Sequence, residues 1–140
     1  VVLGLGADGA PCNNNLDGFL ELRLAALLHK PRVGPKAMPA AQALAVATRG
    51  GAAALGLGDQ LGALAVGRRG DVIAVDVTGP HLAPVTDPLS ALVYAARASD
   101  VRHVAVDGRL VVRDRELLTL DVAAVTRAAT TQAHRVFARL

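Results

Sequence analysis

Val1-Val2-Leu3-Gly4-Leu5-Gly6, followed at once by Ala7-Asp8-Gly9, is the stretch on which the fold turns. The apolar run has no polar alternation. That pattern suits a strand buried on both faces, as in a parallel sheet. Gly4-Leu5-Gly6-Ala7-Asp8-Gly9 also matches the G-x-G-x-x-G dinucleotide pattern. That fingerprint requires a helix to open immediately, so that its N-terminus meets a pyrophosphate. Here Ala10-Pro11-Cys12-Asn13-Asn14-Asn15 intervenes. The fingerprint also requires a second strand ending in an acidic residue about 20 residues on, where this chain still reads as helix. The dinucleotide reading is rejected, and the run is taken as a strand of another parallel α/β arrangement.

Downstream, Ala7 to Asn15 reads as a loop. Leu16 to Lys30 predicts a helix, because Leu16, Phe19, Leu20, Leu24, Leu27 and Leu28 recur at helical spacing. Asn14 or Asn15 is the expected N-cap, Asp17 the first-turn acid, and Pro31 the stop. A second helix is expected from Pro39 to Arg49, broken by Gly50-Gly51, with a short turn or helix from Ala52 to Leu57. Arg68-Arg69-Gly70-Asp71 reads as an exposed turn between strands, and Val72 to Asp76 as a strand. Asp87 caps an expected helix whose first position is Pro88. Val101–Val106 and Leu110–Val112 flank Asp107-Gly108, a hairpin signal. A terminal helix from Asp121 places Val122, Val125, Ala129 and Val136 on one side and is expected to close the β unit. Two parts result: an α/β part at 1–58 and a β portion with a C-terminal helix at 59–140.

The chain has 140 residues, enough for one domain with its own core. Its 52% hydrophobic content makes burial easy, but 2% aromatics means the core is built from Val, Leu and Ala. A net charge of +3 comes from scattered Arg residues. Only Phe19, Phe137 and Tyr94 could stack on bases, so a nucleic-acid partner is not expected. No apolar run approaches the roughly 20 residues of a membrane span. Cys12 is the single cysteine, which excludes an internal disulfide and a multi-Cys zinc site and suits a reducing cytoplasm. No basic n-region or cleavage site precedes the apolar start, so a signal peptide is not expected and the opening reads as mid-protein sequence.

Asp8 is the residue these patterns single out. A carboxylate just past a buried parallel strand stands where (β/α)8 barrels keep their active sites. There it can ligate a divalent metal through one oxygen and handle a proton with the other. Gly6 and Gly9 are expected to supply the sharp turn around it. The commoner fate of an Asp in a Gly-rich loop is to cap a turn, and Asp8 alone does not choose between the two.

The stretch Leu5-Gly6-Ala7-Asp8-Gly9-Ala10-Pro11-Cys12-Asn13-Asn14-Asn15-Leu16-Asp17, with Glu21-Leu22-Arg23-Leu24-Ala25 after it, resembles the end of the barrel in one amidohydrolase branch. That branch holds the methylthioadenosine, S-adenosylhomocysteine and 5'-deoxyadenosine deaminases and the triazine chlorohydrolases. Ala47 to Leu57, Gly62 to Ile73, Pro80-His81-Leu82-Ala83-Pro84 and Ser99 to Arg109 resemble later segments of the same branch, in order. The resemblance implies the last strand and helices of a metal-dependent (β/α)8 barrel plus the C-terminal part of a composite β-sandwich. It implies hydrolytic deamination of an adenine nucleoside derivative, with one divalent metal, zinc or iron. Asp8 matches the family's metal-binding aspartate, which also shuttles the proton. Cys12 and Asn13 are candidates for substrate contact. Three positions depart from the branch: Ala7 stands where Thr or Ser is common, Gly70 where Ala is usual, and Arg115 where Gly is frequent.

The family's other metal ligands are histidines, starting with a His-x-His pair, and the chain has only His29, His81, His103 and His134. One carboxylate cannot hold a catalytic metal, which takes about three protein ligands. The 140 residues are therefore expected to be inactive alone. His81 is expected to be a hydrogen-bonded loop histidine. Two alternatives remain: a triazine or guanine-type amidohydrolase, or a non-catalytic remnant serving as an interaction module. A homo-oligomer of the full-length protein is left open.

Overall fold

The computed structural model describes residues 1–139. Its helical layer starts with α1 (Gly18–Leu28), capped by Asp17, whose Oδ1 accepts from the N–H groups of Phe19 and Leu20 at 2.9 and 3.3 Å. The cap is thus Asp17 and not Asn14 or Asn15. Leu16 enters at φ 49, so the chain reaches helical geometry two residues later than hydrophobic spacing suggests. Pro31 does not end the helical path: after a turn at His29 it sits in the first turn of α2 (Lys30–Val33), where its missing N–H is harmless.

From Pro39 the chain runs through α3 (Ala40–Ala45), a wide π-type turn (Val46–Gly50) and α4 (Gly51–Ala54). Gly50-Gly51 was expected to break this helix, yet the path continues through it. The pair instead allows a crossing. A Cβ on Gly50 would run into the Leu3 carbonyl oxygen, and one on Gly4 would lie 2.9 Å from the Gly51 Cα. Two backbones touch there because neither carries a side chain.

The third helical piece, α5 (Pro88–Ser90), continues through a π-type turn (Ala91–Ala95) and packs on α1 and α3. Asp87 caps it, accepting from the N–H groups of Leu89 and Ser90. Leu22, Ala26, Ala43 and Val93 form the buried core, flanked by Leu5, Phe19, Met38, Leu44 and Tyr94. Arg23 ties α1 to the end of this last helix, its Nη2 donating to the Ala96 carbonyl at 2.8 Å.

The sheet is an antiparallel meander in the order β1 (Val72–Val75), β2 (Val101–Val106), β3 (Arg109–Arg113) and β4 (Glu116–Leu117). Asp107 and Gly108 both take positive φ, 51 and 76, as the two-residue hairpin signal requires. The β3–β4 turn is built the same way from Asp114 and Arg115, at φ 48 and 68.

Three further expectations fail. Val1 to Gly6 lies outside any ladder, and Val1, Val2 and Leu3 are exposed rather than buried on both faces. A parallel strand needs hydrogen-bonding neighbours, and none of the described residues pairs with it. Arg68 is not a solvated turn residue: its Nη1 donates to the Gly58 and Leu61 carbonyls at 2.6 and 2.7 Å, and among the described residues no strand precedes it. The terminal helix α6 (Val122–Phe137) forms, capped by Asp121, but none of its residues is buried and Val122, Val125 and Val136 stay exposed. It does not close the β unit.

Candidate functional site

Asp8 follows the Leu3–Gly4 crossing directly, so its position is set by where that segment lies against α3 and α4. The sharp turn expected of Gly6 and Gly9 is made by Asp8 itself, at φ 58. Left-handed backbone is uncommon for a residue with a side chain, although Asp tolerates it better than most. Asp8 is exposed, and its Oδ1 accepts the Gly9 N–H at 2.8 Å. Among the described residues no hydrogen bond engages Oδ2.

The loop beyond is a tight coil. The Gly9 carbonyl accepts from both Cys12 and Asn13 N–H groups at 2.9 Å. Cys12 is an exposed free thiol. Asn13 is half-buried; its Oδ1 accepts from the Asn15 N–H at 3.1 Å, and its Nδ2 donates to Glu21 Oε1 at 2.7 Å. Asp8, Cys12 and Asn13 therefore share one short loop at the N-terminal end of α1. Glu21 was not singled out from sequence. Its only local signal is an acid in the first turn of a helix, which helix-dipole stabilisation already explains.

A second polar group lies where the sheet meets the helices. His81 Nε2 stands 2.8 Å from Asp100 Oδ2, and the Arg97 N–H donates to the same oxygen at 2.9 Å. Burial pushes the Asp100 carboxyl up, but the His81 hydrogen bond, the Arg97 N–H and their positive charges outweigh it and leave it below the ordinary carboxylate value. His81 is thus a hydrogen-bonded loop histidine, as its sequence context suggests. Asp100, its partner 19 positions away, carried no sequence signal.

Among the described residues no cluster of three or more His, Cys, Asp or Glu side chains stands where it could hold a metal. Asp8, with one oxygen tied to the backbone and the other open, fits one corner of a metal site and not a whole one. No described helix is long and apolar enough to cross a membrane.

Comparison with known proteins identifies the family. The amidohydrolase family profile matches residues 1–111. A 5-methylthioadenosine/S-adenosylhomocysteine deaminase from Syntrophobacter fumaroxidans is 55% identical over 123 residues, 87% of this chain and 28% of its own length. The crystal structure of a zinc-bound adenosine deaminase from Xanthomonas campestris superposes with a TM-score of 0.95 at 39% identity, over 99% of this chain and 32% of that one. A zinc-complexed atrazine chlorohydrolase from Arthrobacter aurescens superposes at 0.83 with 31% identity, covering 94% of this chain and 29% of that one. The chain spans about a third of the length of the curated relatives it matches. The matched length and the shared fold lead to one assignment: this chain belongs to the amidohydrolase family.

Proposed function

We propose that this chain is the C-terminal part of a metal-dependent hydrolase that removes the amino group of an adenine nucleoside derivative. In this reading residues 1–58 end a (β/α)8 barrel, and residues 59–140 form a β-sandwich portion with a C-terminal helix. The reading is carried by Asp8: a left-handed, backbone-tethered carboxylate, in a chain 55% identical to part of a protein named as such a deaminase.

Asp8 offers one oxygen donor to a divalent ion, zinc or iron; the remaining ligands come from outside this chain. When bound, such an ion lowers the pKa of water so that attack on carbon proceeds near neutral pH. The residues of this chain orient and move protons. Oδ1, held by the Gly9 N–H through one lone pair, would offer its second lone pair to the ion, leaving Oδ2 to take up a proton and deliver it toward the departing ammonia. Cys12 and Asn13, in the same loop, are the proposed contacts to the small-molecule substrate. Asn13 has one amide N–H committed to Glu21, which leaves a single donor for that task. The protein is proposed to work in the cytoplasm without nucleic acid.

The test is the full-length enzyme, loaded with zinc or iron, assayed for ammonia release from methylthioadenosine, S-adenosylhomocysteine, 5'-deoxyadenosine, guanine and a chlorotriazine. We expect turnover of the nucleosides, with Asp8→Asn lowering kcat at least about 100-fold, the usual scale of a lost general acid–base group. Preference for the triazine or guanine would move the assignment to that branch. Absence of turnover with either metal, or a fully active Asp8→Asn, would overturn it.

A further inference from the structure

The loop from Asp8 to Asp17 holds two residues with side chains in left-handed backbone, Asp8 at φ 58 and Leu16 at φ 49. Such conformations persist only where the surroundings over-determine them. Most of the hydrogen bonds that shape this loop stay inside it: Cys12 and Asn13 N–H to the Gly9 carbonyl, and Asn15 N–H to Asn13 Oδ1. They give the loop its form but do not attach it to anything rigid.

Apart from the Asp17 cap at the loop's own end, the attachment is the Asn13–Glu21 bond. Asn13 Nδ2 donates to Glu21 Oε1 at 2.7 Å, part-buried and across eight positions. Its far end is well anchored. Glu21 is followed by Leu22, 4% exposed, and Ala26, fully buried, lies one turn on. Arg23 clamps the same turn of α1 to the Ala96 carbonyl. A carboxylate acceptor makes a short, strong link. We propose that Glu21 is a positioning residue for Asp8: through Asn13 it transfers the rigidity of α1 to the loop that presents the Asp8 carboxylate. The proposal rests on Asp8 being the metal-binding and proton-handling group. Neither side chain touches Asp8: the path runs from the Asn13 N–H to the Gly9 carbonyl and from the Gly9 N–H to Asp8 Oδ1, and the orientation of a ligand set in this way governs metal affinity and rate.

The simpler alternative is that Glu21 only favours the positive end of the α1 dipole. The two separate cleanly. A dipole role needs the charge and is lost in Glu21→Gln. A link to Asn13 needs an acceptor oxygen at that reach, which Gln retains.

The experiment uses the full-length metal-loaded enzyme with Glu21→Ala, Glu21→Gln, Asn13→Ala, the Glu21→Ala/Asn13→Ala pair and Asp8→Asn. Bound metal under chelator competition, kcat and KM are read for each. We expect Glu21→Ala and Asn13→Ala each to lose about 10-fold in kcat and in metal affinity, the lower end of the range for a group bonded to the ligand itself; KM stays within about threefold in Glu21→Ala, where orientation and not substrate binding is lost, and rises in Asn13→Ala, which also removes the proposed substrate contact. Glu21→Gln should stay within about threefold of wild type. The pair should be no worse than either single change, since both cut the same link. Wild-type kcat and metal affinity in folded Glu21→Ala overturn the proposal, as does Glu21→Gln impaired as much as Glu21→Ala. So does an Asn13→Ala variant that changes KM alone, which leaves Asn13 a substrate contact and not a link to Asp8. If Glu21→Ala does not fold, Asn13→Ala decides: the same loss supports the link, and wild-type behaviour overturns it. Asp8→Asn separates the two levels. If it loses metal while the Glu21 variants do not, only the positioning role falls; if it keeps both metal and activity, the Asp8 reading falls first.

Discussion

Asp76 shows how a single residue is read from its partners. Its pKa is lowered from 3.8 to about 2, first by the Thr78 hydroxyl, then by the Thr78 N–H and by Arg115. Thr78 Oγ1 lies 2.7 Å and its N–H 3.0 Å from Oδ1, and Arg115 Nη2 lies 3.1 Å from Oδ2. Folded Asp76 binds a proton less readily than the unfolded chain does, so its contribution to stability is complete above about pH 4. It fades as pH falls through about 2, where the folded carboxylate is protonated too. Thr78→Ala should therefore raise the Asp76 pKa toward 3.8 and destabilise the protein at pH 5, with the difference from wild type vanishing below pH 2. Denaturant midpoints at the two pH values test this; an equal gap at both means that Thr78 acts through something other than the Asp76 charge. Arg115 explains its own departure from the frequent Gly. Left-handed backbone costs an ordinary residue about 1–2 kcal/mol, and here it sits at φ 68. In return its guanidinium reaches Asp76 and the Ser99 carbonyl, which a glycine cannot.

At the scale of elements, the decisive contact is the crossing of the N-terminal segment over the α3–α4 path. In an isolated helix, Gly50→Ala would gain up to about 1 kcal/mol of propensity. In the folded protein the new Cβ meets the Leu3 carbonyl, so the N-terminal segment must shift off the helix. Gly51→Ala is the matched control, because a Cβ there meets nothing within 4 Å. We expect Gly50→Ala to lower the melting temperature and to expose residues 1–8 to protease, and Gly51→Ala to be neutral or mildly stabilising. Equal behaviour of the two would remove the crossing as the reason for the glycine. The hairpins show the opposite case, in which the element is written locally. Asp107-Gly108 is legible because both residues of the turn are adjacent in sequence and their backbone preference alone selects the geometry. The Asp87 and Asp121 caps are legible for the same reason, lying within three residues of the N–H groups they serve.

At the scale of the whole molecule, surface area is the informative quantity. The chain exposes 9958 Å², whereas a compact protein of this mass exposes about 6,800 Å². Much of the excess is apolar: Val1, Val2 and Leu3, then Leu64 and Val66, then Val122, Val125, Val136 and Phe137 on α6. A groove of about 520 Å³ between the N-terminal segment, α4 and β1 is lined by Leu5, Ala52, Leu55, Leu61, Val72 and Ile73. Patches on this scale mark surfaces that another body covers, or sites of aggregation. The 140-residue chain produced by itself should bind a hydrophobic dye, self-associate on light scattering, and retain no stoichiometric zinc after dialysis. A monomer that excludes dye and unfolds cooperatively would show that this surface is tolerated in water.

Sequence alone determined the first and terminal helices and the hairpin, because each depends on residues a few positions apart: periodicity, caps and paired turn residues. It also carried the family resemblance, which the comparisons support. Tertiary structure decided the rest. Whether Val1 to Gly6 is a strand depends on neighbours to pair with, and no described residue supplies them. Whether Gly50-Gly51 breaks a helix depends on what crosses it. Arg68, Asp100 and Glu21 gained their roles from carbonyls, a histidine and an asparagine between 7 and 19 positions away. A hydrogen bond is decided by distances of about 3 Å between atoms, and no local pattern states which distant segments folding will bring that close.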